Sequence, residues 1–129
     1  MTASRLLMID DEPDIGELVR KVAEAIGYEM RFVTQASAFK DAHRSFNPDV
    51  IILDLSMPGT DGVELMEFLA QEKSRARVLI LSGFDARIRD GIFRLGTDKG
   101  LDMVDFLSKP VRVADLRILL DRLKTNQQP

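Results

Sequence analysis

Apolar residues follow two alternating patterns along the chain. Short runs rich in Val, Ile, Leu and Met predict strands that are buried on both faces of a sheet. Such runs occupy residues 6–9, 50–53 and 78–81, and two further strands are predicted over 30–33, which alternates weakly, and over 103–107. After each run, apolar residues recur at spacings of three and four, which predicts a helix with one buried face. The chain therefore alternates predicted strands and predicted helices.

Local residues mark where the predicted helices begin and end. Pro13 stands at a first helical position among acidic neighbours that complement the helix dipole, and Gly27 ends that helix. The second helix ends before Asn47-Pro48, because the residue before a proline disfavours the helical conformation. Interior glycines weaken the fourth predicted helix. Five strands alternating with five helices predict an α/β fold, with a parallel sheet covered on both sides.

Composition and charge limit the classes of function. The 129 residues, 45% of them hydrophobic, predict one domain over 1–124 and a flexible polar tail over 125–129. A formal net charge of −3 argues against direct nucleic-acid binding. There is no cysteine for a disulfide or a thiolate site, and no apolar stretch approaches the ~18 residues of a membrane span. We therefore expect a cytoplasmic protein without membrane contact.

Polar residues stand where the predicted strands end. Asp10 and Asp11 follow the first strand, Asp54 the third, Ser82 the fourth and Lys109 the fifth. In a doubly wound sheet these strand ends share one edge, where ligands bind. Three carboxylates at one edge repel one another and need more positive charge than one lysine supplies. Oxygen ligands without His or Cys favour Mg²⁺, with Mn²⁺ as an alternative.

A simpler interpretation of Asp54 is a strand-ending aspartate that caps the next turn, a common use of this residue type. Taken alone, Asp54 supports that interpretation and a chemical role about equally. Separate caps and surface ions would also explain Asp11 or Glu12 singly. They do not explain why the residue types that handle a phosphoryl group fall at the same edge of the sheet.

These motifs resemble the receiver domain of two-component response regulators. The resemblance covers about residues 5–123 and rests on Asp10-Asp11, Asp54-Leu-Ser-Met-Pro58, Asp61-Gly62, Ser82-Gly83 and Lys109-Pro110. It implies a flavodoxin-like (βα)5 sandwich with the strand order 2-1-3-4-5. It also implies a protein that catalyses its own phosphorylation and slow dephosphorylation, and not an enzyme with a separate substrate.

Carried onto this chain, the family's pattern makes Asp54 the acceptor of a phosphoryl group from a histidine kinase or a phosphotransfer protein. Lys109 would pair with Asp54 and then with a phosphoryl oxygen, and Ser82 would offer its hydroxyl to the same group. Phe84 would shield the aspartyl phosphate from water. The metal would be held by Asp10, Asp11, Asp54 and the backbone carbonyl of Ser56.

The resemblance also implies a conformational switch. Ser82 and Phe106 would couple the phosphorylation site to the face formed by the fourth helix, the fifth strand and the fifth helix. That face would control an output partner or a fused output domain, or would form a homodimer. Phe106 has a simpler interpretation as an ordinary apolar strand residue. The Lys109-Pro110 peptide bond is expected to be cis.

Some features depart from the family or favour another class. The segment 82–109 is longer than usual, and it alone resembles receivers joined to EAL-type phosphodiesterase domains. An aspartyl phosphatase needs a second acid where Ser56 stands, and the acids after the first strand would repel a flavin phosphate. A phosphorylation-independent pseudo-receiver, which only binds other proteins, is the remaining alternative. His43, the single histidine, is predicted to be a solvated helix residue.

Overall fold

Strands and helices alternate along the whole described chain. The computed structural model describes residues 3–57, 59, 62–83 and 86–126. The strands are β1 (Ser4–Ile9), β2 (Tyr28–Val33), β3 (Val50–Asp54), β4 (Arg77–Ser82) and β5 (Asp102–Ser108). The helices are α1 (Pro13–Ala25), α2 (Ala36–Phe46), α3 (Gly62–Gln71), α4 (Ala86–Asp98) and α5 (Val113–Asn126). Every predicted element is present, with ends that differ by a few residues at most.

The five strands form one parallel sheet in the order β2-β1-β3-β4-β5. This confirms the α/β sandwich and the expected strand order. In the register of the sheet, Ile9 lies opposite Leu53, and Asp54 lies opposite Leu81. The residue after Ile9 therefore lies beside Asp54. The sheet order brings the ends of β1, β3 and β4 together at its centre, where such folds bind ligands.

Two apolar layers cover the two faces of the sheet. Leu7 and Ile51 face the layer formed with α2, α3 and α4. Leu6 and Ile52 face the opposite layer, formed with α1 and α5. Successive strand residues point to opposite faces, so the uninterrupted apolar runs fill both layers. Burial on both faces is confirmed for the apolar runs of β1, β3 and β4. The edge strand β2 alternates buried and exposed residues, and β5 is exposed at its two ends.

Two helices end as the sequence predicts. Helix α1 begins at Pro13 and is followed by Gly27 with a φ of 97°. Helix α2 is followed by Asn47 in the left-handed conformation, with a φ of 52°, directly before Pro48. Glycine and asparagine adopt this conformation more readily than other residues, which suits them to positions just past a helix.

His43 is less solvated than we expected, and this prediction was wrong in part. Its ring is half-buried and meets the ring of Phe68 edge-on, with 5.6 Å between centroids. Its Nε2 atom lies 3.0 Å from the hydroxyl of Ser74. Burial lowers the pKa of His43, and the charge of Glu72 opposes that effect. The helix face that carries His43 packs more closely against α3 than its polar residues indicated.

Helix α5 is assigned through Asn126, so the predicted boundary between the domain and its tail falls near the end of this helix. Residues 127–129 lie outside the described part of the chain, and that boundary stays a prediction. Among the described residues, no helix combines the length and the apolar character needed to cross a membrane.

Candidate functional site

Asp54 ends β3 with a buried carboxylate whose two oxygens have different partners. The backbone N–H and the hydroxyl of Ser56 donate hydrogen bonds to Oδ1, at 2.9 and 2.8 Å. The ammonium of Lys109 donates to Oδ2 at 3.2 Å. Oδ1 therefore stabilises the turn after the strand, as the simpler interpretation predicted. Oδ2 faces the charged centre of the site.

Asp10 lies beside Asp54 and is completely buried. Its Oδ1 accepts a hydrogen bond from the backbone N–H of Glu12 at 2.9 Å. Its Oδ2 has no hydrogen-bond partner among the described residues and lies 3.5 Å from Lys109 Nζ. Burial raises the pKa of Asp10 to about 6; the nearby charge of Asp54 adds to this, while the Glu12 N–H and Lys109 oppose it. A cation close to Asp10 would therefore stabilise its anionic form.

Lys109 supplies that positive charge. Its Nζ lies 2.9 Å from Glu12 Oε2, 3.2 Å from Asp54 Oδ2 and 3.5 Å from Asp10 Oδ2. Burial alone would lower the pKa of Lys109. Hydrogen bonds to Glu12 and Asp54, and the charges of Asp54 and Asp10, raise it overall. The ammonium is therefore firmly protonated and shared among three carboxylates.

Ser82 and Pro110 complete the edge of the sheet. Ser82 ends β4 and is completely buried. Its carbonyl oxygen accepts a hydrogen bond from the backbone N–H of Lys109 at 3.0 Å. The Lys109-Pro110 peptide bond is cis, as expected. The carboxyl ends of β4 and β5 are thus joined beside Asp54.

The acidic loop after β1 fits a hard divalent cation. Asp10, Asp11 and Glu12 place carboxylate oxygens within 4.8 Å of one another. The buried Oδ2 of Asp10, to which no described group donates a hydrogen bond, is the kind of oxygen that Mg²⁺ takes as a ligand. Glu12 was not among the predicted site residues. Its only sequence signal was its place as the third acid of the run.

Phe106 has more specific surroundings than an ordinary strand residue. The guanidinium of Arg89 lies over its ring, 4.3 Å from the centroid, and the ring of Phe93 meets it edge-on at 6.3 Å. Arg89 also donates a hydrogen bond to the hydroxyl of Ser108 at 2.9 Å. The sequence did not indicate Arg89, because the spacing of apolar residues on a helix does not show where a charged side chain packs. The role of Phe106 as a switch stays a prediction.

The described residues include every predicted site residue, but not every residue of the family motifs. Pro58, Asp61 and Phe84 lie outside the described residues. Asp11 lies exposed on the loop after β1. For Ser56, the N–H and the hydroxyl contact Asp54, and the metal-binding role of its carbonyl stays a prediction. The described site thus brings together Asp10, Asp54, Ser82 and Lys109, and it adds Glu12.

Comparison with known proteins identifies the family. The model of the response regulator receiver domain matches residues 6–121. The chain is 33% identical over 127 residues to the transcriptional regulatory protein QseB of Escherichia coli, a match that covers 96% of this chain and 55% of that protein. A response regulator from Colwellia psychrerythraea superimposes with a TM-score of 0.85 at 28% identity, covering 98% of this chain and 100% of that one.

The fold is shared more widely than the sequence. The chemotaxis response regulator CheY4 of Vibrio cholerae has a TM-score of 0.80 at 22% identity, with 95% of this chain and 99% of that one covered. The chain belongs to the response regulator receiver family, and it is a receiver domain of the two-component type. Nothing in these comparisons supports the pseudo-receiver alternative. The chain spans about half the length of the curated relatives it matches.

Proposed function

We propose that Asp54 accepts a phosphoryl group from a histidine kinase or a phosphotransfer protein. The observation that carries this proposal is the buried carboxylate of Asp54, whose Oδ2 faces Lys109 Nζ at 3.2 Å at the ligand-binding edge of the sheet. An oxygen of Asp54 bonds to phosphorus while the phosphorus–nitrogen bond of the donor phosphohistidine breaks. The donor imidazole, already protonated on its other ring nitrogen, leaves in its neutral form. The product is an aspartyl phosphate.

Each neighbouring residue has a proposed part in this transfer. Lys109 moves from Asp54 to an oxygen of the incoming phosphoryl group, and Ser82 donates its hydroxyl to another. The ammonium of Lys109 offsets the negative charge of the phosphoryl oxygens, and the hydroxyl of Ser82 donates a hydrogen bond to one of them. A divalent cation would be held by Asp10, Asp11, Asp54 and the backbone carbonyl of Ser56. When bound, Mg²⁺ supplies positive charge that offsets the oxygens of the phosphoryl group.

The aspartyl phosphate is proposed to change the face formed by α4, β5 and α5. Phosphorylation adds about −1.5 to −2 charges and three acceptor oxygens. Ser82 follows these oxygens, and Phe106 then leaves its contacts with Arg89 and Phe93. Because those contacts join α4 to β5, their loss alters the face that a partner would bind.

The output is proposed to be a partner protein, a fused domain or a second copy of the chain. Several relatives are named as transcriptional or DNA-binding regulators, which supports a DNA-binding output outside this domain. A large exposed fraction at Ile88, Val113 and Ile118 supports protein binding by the proposed face. We propose action in the cytoplasm, by a receiver that does not itself contact nucleic acid. Fusion to an EAL-type domain stays a prediction.

The test is phosphorylation of the purified chain. We expect Mg²⁺ and acetyl phosphate to add the mass of one phosphoryl group, and we expect EDTA to prevent it. Asp54→Asn keeps the size of the side chain and should abolish the mass gain. No modification of the wild type, or modification that survives in Asp54→Asn, would contradict the proposal. Loss of the group within seconds would contradict only the predicted slow dephosphorylation.

A further inference from the structure

Of the three described carboxylates around the ammonium of Lys109, that of Glu12 is the nearest. Its Oε2 lies 2.9 Å from Nζ, compared with 3.2 Å for Asp54 Oδ2 and 3.5 Å for Asp10 Oδ2. The carboxylates of Asp54 and Asp10 are buried, whereas the side chain of Glu12 is 55% exposed. Lys109 therefore lies between a buried pair of acids and a third acid at the mouth of the site.

The side chain of Glu12 has no other structural task among the described contacts. Glu12 is the residue that precedes the first turn of α1, a position where a short polar side chain such as Ser, Thr, Asn or Asp often caps the helix. It makes no such side-chain hydrogen bond. Its backbone N–H fixes the loop by donating to Asp10 Oδ1 at 2.9 Å. The loop thus holds the backbone of Glu12, while its carboxylate turns to Lys109.

This arrangement affects how a divalent cation would enter. The ammonium of Lys109 touches the same two buried carboxylates that a cation would need. An ammonium and a divalent cation that contact the same carboxylates repel each other. The ammonium of Lys109 must therefore withdraw as the cation binds. Glu12 offers the ammonium a partner on the solvent side, because its Oε2 already lies 2.9 Å from Lys109 Nζ. Lys109 can then leave Asp10 without losing all its hydrogen bonds.

We propose that Glu12 is a positioning residue that holds the Lys109 ammonium at the mouth of the site and leaves Asp10 and Asp54 available to a divalent cation. The inference rests on the proposed function, because it concerns the same site before phosphorylation. In this proposal Glu12 acts by its contact with Lys109, and it does not contact the phosphoryl group. Without Glu12, the ammonium would pair only with the buried acids and compete more strongly with the cation.

A direct role of Glu12 as a metal ligand is the rival explanation, since its carboxylate lies near those of Asp10 and Asp11. The two explanations differ in their dependence on Lys109. A ligand contributes whether or not the lysine is present. A residue that acts through Lys109 loses its effect when the lysine is replaced, which a double-mutant cycle measures.

The experiment measures Mg²⁺ affinity by isothermal titration calorimetry in the unphosphorylated chain. We expect Glu12→Gln to weaken binding about 5- to 10-fold, within the range found for coupled neighbours. In a Lys109→Gln background the same change should weaken binding by about twofold or less, the effect of one lost charge nearby. Glu17→Gln, which removes an exposed acid on α1, is the matched control for net charge and should change little.

Equal weakening by Glu12→Gln in both backgrounds would show a metal ligand and overturn the proposal. So would unchanged affinity in the wild-type background. Lys109→Arg gives a second background that keeps the positive charge, and there the effect of Glu12→Gln should persist. These titrations need no phosphorylation, so they test Glu12 even where Asp54 accepts no phosphoryl group, a result that would contradict the proposed function alone.

Discussion

A single carboxylate can serve both a structural and a chemical purpose at the end of a strand. In Asp54 the two purposes are divided between its oxygens, since Ser56 holds Oδ1 and Lys109 contacts Oδ2. The two interpretations of this residue are therefore compatible. The turn that Oδ1 stabilises also fixes the direction of Oδ2. Rigid placement of a reacting group is what phosphoryl transfer requires of a protein.

Burial of the Asp10 carboxylate lowers the stability of the folded chain. Its folded-state pKa of about 6 exceeds its ordinary value of 3.8, mainly because of burial. The anionic form is therefore disfavoured in the folded chain, and it reduces stability at neutral pH.

We expect Asp10→Asn to raise the free energy of unfolding by about 1–3 kcal/mol at pH 7.5, since each unit of pKa shift corresponds to about 1.4 kcal/mol. Asn keeps an Oδ1 acceptor for the N–H of Glu12. The measurement is urea denaturation in EDTA.

The stability gained by Asp10→Asn should decrease as the pH is lowered. Because the folded-state pKa is raised, the cost of ionised Asp10 is present above pH 6 and disappears as pH falls toward 3.8. The difference between variant and wild type should therefore vanish in acid. Asp11→Asn, at an exposed position of the same loop, should give a smaller gain. A less stable Asp10→Asn at pH 7.5 would refute this account.

At the scale of elements, the contact between α4 and β5 explains why a glycine-containing segment is a helix. A Cβ atom at Gly96 would collide with the side chain of Met103, whereas a Cβ at Gly91 would meet no described atom within 4 Å. Gly96 thus allows the helix to approach the strand, and that packing offsets its low helix propensity. Phe93 and Arg89 reach Phe106 across the same contact.

These two glycines provide a matched pair of substitutions in one helix. Gly91→Ala should raise the free energy of unfolding by about 0.5–1 kcal/mol, through helix propensity alone. Gly96→Ala should lower it by about 1–2 kcal/mol, because the added methyl group overpacks the contact with Met103. Thermal or urea denaturation monitored by circular dichroism would measure both. In a Met103→Ala background the loss caused by Gly96→Ala should shrink, and a persisting loss would exclude the steric explanation.

At the scale of the whole molecule, the sheet order unites chemistry from distant parts of the chain. Adjacent β1 and β3 place Asp10 beside Asp54, and β5 brings Lys109 to both. The same order leaves β5 at the edge of the sheet, flanked by α4 and α5. The proposed output face is therefore built around the edge strand, and Phe106 lies between it and the site.

If this face forms a homodimer on activation, Mg²⁺ and beryllofluoride should shift the chain to a dimer in sedimentation experiments. Ile118 on α5 is 58% exposed, and its burial would stabilise that dimer. Ile118→Glu should keep the chain monomeric while beryllofluoride still binds at Asp54. Ser37→Glu, an equal change in charge on the exposed side of α2, should leave the dimer intact. A dimer that tolerates Ile118→Glu would place the interface elsewhere.

The sequence by itself determined the ten elements, their layers and most of the site. Apolar runs and helical spacings are local patterns, and they predicted every strand and helix of the described chain. The parallel arrangement then required that residues after successive strands meet at one edge. Asp10, Asp54, Ser82 and Lys109 could be placed together for that reason, although the particular strand order came from family resemblance.

Only the tertiary structure decided which of those residues touch. Glu12 and Lys109 are 97 residues apart, and their contact depends on how the first loop and the last strand pack. The same holds for Arg89 over Phe106, for Met103 against Gly96, and for the buried side of His43. Side-chain partners of this kind follow from packing in three dimensions, which periodicity along the chain does not encode.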